Sequence, residues 1–176
     1  MKDRFVFTYL QLITKHKKGQ YTGFTLIELL VVIIIIGILS SIALPSFLAQ
    51  AAKARASEAR SSIGSLNRAQ QAYYLENQRF AQDDGTSTAF NKLSIGLNDT
   101  TTNYVYTVIT TTPTVKVVNK ATANNNDLKG SAGGVFSSAG LTNSILCEAD
   151  DSGTTPVNEP TSVTTCGSDS HRVPLQ

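Results

Sequence analysis

The chain is poor in histidine, in cysteine and in charge. It has two histidines, two cysteines and 16% charged residues in 176 positions, and His16 and His171 lie near opposite ends. No nucleophile, base and orienting acid can be assembled from so few groups, especially as His171 falls in a C-terminal tail expected to be loose, so no enzymatic activity is expected. Cys147 and Cys166 have neither C-x-x-C spacing nor neighbouring histidines, so no metal and no cofactor is expected. One absence is local: no Lys, Arg or His occurs between Lys18 and Lys53. An acid in that interval has no side-chain cation to pair with.

There is one such acid. The stretch Gly23 to Pro45 reads GFTLIELLVVIIIIGILSSIALP, and Glu28 is its single charged residue. From Phe24 onward the apolar run reaches roughly the 20 residues that a membrane-spanning helix requires. An ionisable group inside such a helix is expensive, and it marks a partner or a function. A cut after Gly23 would create an α-amine on Phe24, one helical turn from Glu28 or beside the Glu28 of a neighbouring copy. Thr25-x-x-Glu28 also fits a helix capping box, with Glu28 at the positive end of the helix dipole. A conventional secretory signal fails on order, because here the small residue precedes the apolar region and Pro45-Ser46 offers no A-x-A-like site.

The run Gly23-Phe24-Thr25-Leu26-Ile27-Glu28, behind a basic leader and ahead of an unbroken apolar stretch, resembles the prepilin processing site of type IV pilins and pseudopilins. The likeness extends over residues 15–80, with Pro45 where the family commonly has a proline; beyond Phe80 only the general layout matches. It implies cleavage between Gly23 and Phe24 by a membrane-embedded prepilin peptidase, N-methylation of Phe24, and assembly through charge pairing at Glu28. The partners it implies are that peptidase and methyltransferase, an assembly platform, minor pilins and further copies of the chain in a helical fibre.

Charge and compartment agree with this picture. Lys2, Arg4, Lys15, Lys17 and Lys18 against Asp3 put +4 in residues 1–23, leaving ten basic and twelve acidic side chains, or −2, in the rest. A total so small predicts no direct nucleic-acid site. Positive flanks stay cytoplasmic, so the precursor is expected in the inner (cytoplasmic) membrane, surrounded by lipid, with its head outside the cytoplasm, and on the cell surface once assembled. In an oxidising compartment Cys147 and Cys166 read as a disulfide closing a loop of about twenty residues, worth about 3 kcal/mol, the alternative being two free thiols.

The expected fold class is α+β, a long N-terminal helix packed on a small antiparallel sheet, as in the pilin fold. Residues 1–23 form a cleaved basic leader and 24–48 the transmembrane or fibre-core half of the helix. Gly37 and Pro45 weaken that half and predict a kink or local melting. Residues 49–79 form an amphipathic half whose stripe is Ala52, Ala56, Ala59, Ile63, Leu66 and Tyr73, broken at Gln70. Residues 80–103 read as an irregular αβ-loop. Residues 104–176 hold three or four strands and a disulfide-closed loop, with strands at Tyr104–Ile109 and Val115–Val118 and weaker ones at Gly134–Ser138 and Ser144–Cys147. Asp150-Asp151-Ser152-Gly153 with Asp169 could offer oxygen ligands to calcium, but the spacing suits a solvated acidic turn better. Asn98-Asp99-Thr100 is a formal glycosylation sequon.

The function expected from these features is that of a structural subunit, a major pilin of a type IV pilus serving motility, adhesion or DNA uptake. The alternatives are a minor pilin or type II secretion pseudopilin and, from a different class, a monomeric membrane-anchored adhesin, which leaves Glu28 unexplained.

Overall fold

The computed structural model describes residues 23–174. The basic leader, with Lys2, Arg4, Lys15, His16, Lys17 and Lys18, lies outside the described residues. The chain divides into two compact units, Met1–Leu44 and Pro45–Gln176. Helix α1, Leu26–Asn77, contributes to both and is continuous through Gly37 and Pro45. In the first unit no described residue is buried.

The second unit is a five-stranded antiparallel sheet covered on one face by the later part of α1. Its strands are β1 (Tyr104–Thr112), β2 (Lys116–Ala123), β3 (Ser131–Ser138), β4 (Leu141–Ala149) and β5 (Ser170–Arg172), in that order across the sheet. Three or four strands were expected. The fifth is the segment around His171, which is therefore not a loose tail: Cys147, Glu148 and Ala149 pair with Arg172, His171 and Ser170. β3 and β4 are longer than the sequence suggests, because the tight turn at Ala139 and Gly140, both with positive φ, joins Ser138 directly to Leu141. Residues 80–103 are not wholly irregular either. They contain a short helix α2, Ala89–Leu93, whose N-cap Thr88 accepts from the Asn91 amide. Lys92 donates to the Asp84 carboxylate at 2.7 Å and, with the Ser87 and Thr86 amides, holds that carboxyl well below the usual range.

The helix face seen by the sheet departs from the expected stripe at two points. The buried residues are Ala56, Ala59, Ile63, Gly64, Leu66, Asn67, Gln70 and Tyr74, so the last aromatic is Tyr74 and not Tyr73. Gln70 does not break the stripe. It is fully buried, and its amide closes a two-bond clamp on the backbone of Ala81, at 3.1 Å to the carbonyl and 2.8 Å from the N–H. A chain leaving the helix at Gln78, with φ +54, would otherwise bury those backbone groups unpaired. Asn67 does similar work one turn earlier, donating to the Ile145 carbonyl at 3.1 Å and accepting from Asn119 at 2.9 Å. Around these amides, Ala59, Ile63 and Leu66 pack with Tyr104, Tyr106, Ala121, Leu128 and Leu146. Tyr74 packs against Phe80 with ring centroids 4.7 Å apart and the planes tilted by 40°, beside Val117 and Val135.

The Gly133-Gly134 pair in β3 lets both faces of the sheet be covered closely. A Cβ on Gly133 would come within 2.5 Å of the Asn67 side chain and of Ile63, on the helix side. One on Gly134 would press on Phe136 and, at 3.2 Å, on Pro160 from the C-terminal segment. Glu159 fastens that segment to β2 by ion pairs with Lys116 and Lys120. Gly133→Val is therefore expected to destabilise the head by roughly 1–3 kcal/mol through overpacking. Urea unfolding of the detergent-solubilised full chain measures this, and an unchanged midpoint would show that the helix is not seated on β3.

Candidate assembly segment

The segment begins ahead of the helix, in residues without regular secondary structure. Gly23, Phe24 and Thr25 precede the first helical residue and are exposed, and nothing lies within 4 Å of where a Gly23 Cβ would stand. Among the described residues nothing covers the Gly23–Phe24 peptide bond, which lies outside the helix.

The helix is then started by its own side chains. The Glu28 carboxylate accepts from the Thr25 N–H at 2.8 Å and from the Thr25 hydroxyl at 2.7 Å, both at Oε2. In return the Glu28 N–H donates to Thr25 Oγ1 at 3.3 Å. This is the reciprocal capping box, which satisfies helix-end donors that nothing else reaches. Both Thr25 bonds use one oxygen. Oε1 carries no bond among the described residues, and Glu28 makes no ion pair among them. The cap accordingly leaves half of the carboxylate available.

Beyond the cap the surface is uniformly apolar. Every large hydrophobic side chain from Phe24 to Leu48 is at least 42% exposed, and α1 is long and apolar enough to cross a membrane. A surface of this length and composition is not stable in water, and it requires either lipid or other helices of the same kind. Gly37 and Pro45 both lie within it. Pro45 has no N–H, so the carbonyl four residues back loses its helical donor.

The other singled-out residues lie in the second unit. Cys147 of β4 is bonded to Cys166, with Cα atoms 5.9 Å apart. Of the acidic turn, Asp150 pairs with His171 at 2.7 Å, and Asp169 accepts from the Asn158 N–H at 3.3 Å, so two of the carboxylates offered to calcium are already engaged by protein donors. Asn98 is exposed in the loop before β1. The buried amides Asn67, Gln70 and Asn119 and the part-buried Glu58, which accepts from Asn103 at 2.9 Å, were not anticipated. The available signal was spacing, because Ile63, Asn67, Gln70 and Tyr74 recur at four, three and four.

Comparison with known proteins agrees with this arrangement. The family described as type IV pilin-like G and H matches residues 56–170, and the prokaryotic N-terminal methylation motif matches residues 20–44. The chain is similar to the type IV major pilin protein PilA of Myxococcus xanthus, 44% identical over 59 residues, covering 34% of this chain and 27% of that protein. It is similar to the type II secretion system core protein G of Aeromonas hydrophila, 38% identical over 77 residues, covering 43% and 54%. It is also similar to the type IV wide pilus major component PilA4 of Thermus thermophilus, 32% identical over 87 residues, covering 49% and 63%. The chain therefore spans between about a quarter and just under two thirds of the length of these relatives. No solved structure matches it.

Proposed function

Because the chain belongs to the type IV pilin-like G and H family, a family of structural subunits, we propose that it is the major subunit of a type IV pilus, cut between Gly23 and Phe24 and polymerised through residues 24–48. The observation that carries this reading is the exposed apolar segment with one acid at its capped start, whose Oε1 carries no bond among the described residues and could receive an ammonium group. Methylation of Phe24 keeps the amine cationic. In the fibre, the Phe24 amine of one copy meets the Glu28 of another, and a copy entering out of step leaves a charge unpaired among apolar helices, so burial drives assembly while the charge pair sets register. Gly37 and Pro45 are the points at which the packed helix kinks or melts. Before assembly the same segment rests in the inner membrane with the head outside the cytoplasm.

A second reading, a subunit of a secretion pseudopilus, is favoured by the similarity to core protein G. The disulfide-fastened C-terminal segment supports the first, since pseudopilins often lack such a bridge. Electron microscopy of fibres sheared from cells, with intact-mass analysis of their subunit, separates the two. Long, abundant surface fibres built from a subunit that begins at N-methyl-Phe24 are expected. If this chain is found only in short fibres that do not leave the cell envelope, the major-pilin reading is wrong.

A further inference from the structure

Among the described residues of the unit Pro45–Gln176, large exposed apolar side chains occur at two ends and nowhere between. Phe47 and Leu48 stand near its start, and Leu75, Val115 and Leu141 stand at the far end, each 52–71% exposed. The far-end three come from separate elements that the topology gathers together: the end of α1, the β1–β2 turn and the β3–β4 turn. Tyr74, beside Leu75, donates to the Thr114 carbonyl at 3.3 Å, and Gln71 donates to the Thr142 carbonyl at 3.3 Å. The Ser137 N–H donates to the Val115 carbonyl at 2.8 Å, which sets the two turns side by side.

This end carries little charge, and Lys116, next to Val115, is paired with Glu159. Residues 109–115 and 135–146 contain no ionisable side chain, and only Glu76 and Arg79 follow Leu75 closely. The opposite end of the sheet holds Asp127, Lys129, Glu148, Asp150, His171 and Arg172. Uncharged apolar groups left in water gain by meeting a surface of the same kind, whereas a charged partner would lose its hydration there.

Resting on the subunit reading above, we propose that the uncharged tip formed by Leu75, Val115 and Leu141 is an assembly surface that seats Phe47 and Leu48 of a second copy of this chain. Leu48 and Leu75 are separated by 27 residues of one helix, which is about 40 Å at 1.5 Å per residue. The two patches cannot meet within one chain. A second copy displaced by that length along the helix brings them together. Such a contact joins unlike surfaces, so it does not close into a dimer but repeats into a filament. Phe47 and Leu48 also end the apolar run that begins at Phe24, so this contact extends the coverage of that run to its last residues, with the next charge only at Lys53.

The test places the photocrosslinker p-benzoylphenylalanine at position 141 of the full-length chain, expressed with its processing and assembly machinery, and maps adducts in sheared fibres. Crosslinks from position 141 to residues 45–52 of another copy are expected. A Val115→Lys, Leu141→Lys double variant is expected to give about tenfold fewer fibres with an unaltered head melting temperature, because two ammonium groups would have to be desolvated. Adducts only to lipid, to other proteins or to other parts of the chain, an absence of adducts, or wild-type fibre yield from a folded double variant would each overturn the contact. If the double variant fails to fold, the adduct map decides alone. Absence of fibres from the unsubstituted chain would instead remove the subunit reading, and this contact with it.

Discussion

Glu28→Leu is expected to leave membrane insertion and the cut after Gly23 intact while lowering the yield of fibres roughly a hundredfold, because it strands an ammonium group in an apolar core. The substitution also removes the capping box, so it does not by itself separate the two roles of this side chain. Glu28→Gln does, since glutamine keeps the reciprocal bonds with Thr25 but carries no charge. If charge pairing governs register, Gln and Leu fail alike; if capping is all that matters, Gln restores the fibres. Counting fibres by electron microscopy beside an immunoblot for mature-sized protein reads both outcomes. Wild-type fibre numbers from Glu28→Gln would refute the pairing mechanism.

Gly23→Glu is expected to abolish the cut, with mature product falling by about a hundredfold or more and the precursor retained in the membrane. The loss should not come from misfolding. Among the described residues nothing lies within 4 Å of a Cβ at position 23, and the head is distant in sequence from it. Whatever prevents cleavage must then be the fit of this residue to the peptidase, and the head should keep its melting temperature. Mass spectrometry of the accumulated protein is the check. A product still beginning at Phe24 would mean that the residue before the cut is not what the peptidase reads.

Much of the architecture was legible because its signals are local and strong. The apolar run, the Thr25 and Glu28 pair and the alternation of Tyr104 to Ile109 each point to one structure, and the lone pair of cysteines left only a disulfide or two free thiols. The misreadings share a cause, which is that tertiary contacts supply what the local sequence does not. Gln70 looks like an interruption until Ala81 is placed beside it, and Asn67 until Ile145 is. Ser131 to Ser138 contains two adjacent glycines and has weak strand character; it is a strand because α1 and Pro160 lie on its two faces. β5 is three residues long, too short to show alternation, and it forms because β4 offers it an edge. α2, at five residues, is likewise shorter than any helical period can reveal. In the assembly segment, Glu28 could be located from sequence, but the use of a single oxygen, Oε2, for both Thr25 bonds could not.

The C-terminal segment has a practical consequence for anyone preparing this protein as an immunogen. Among the described residues it is fastened by the Cys147–Cys166 bond, by the two lysines that hold Glu159, by the pairing of β5 with β4, and by Val173, which is packed in the core. Material made in a reducing cytosol would lose the covalent tie between β4 and that segment, leaving only the non-covalent contacts to hold it. Sera raised against it are expected to include antibodies to surfaces that the bridged protein covers, such as the face of β3 beneath Pro160.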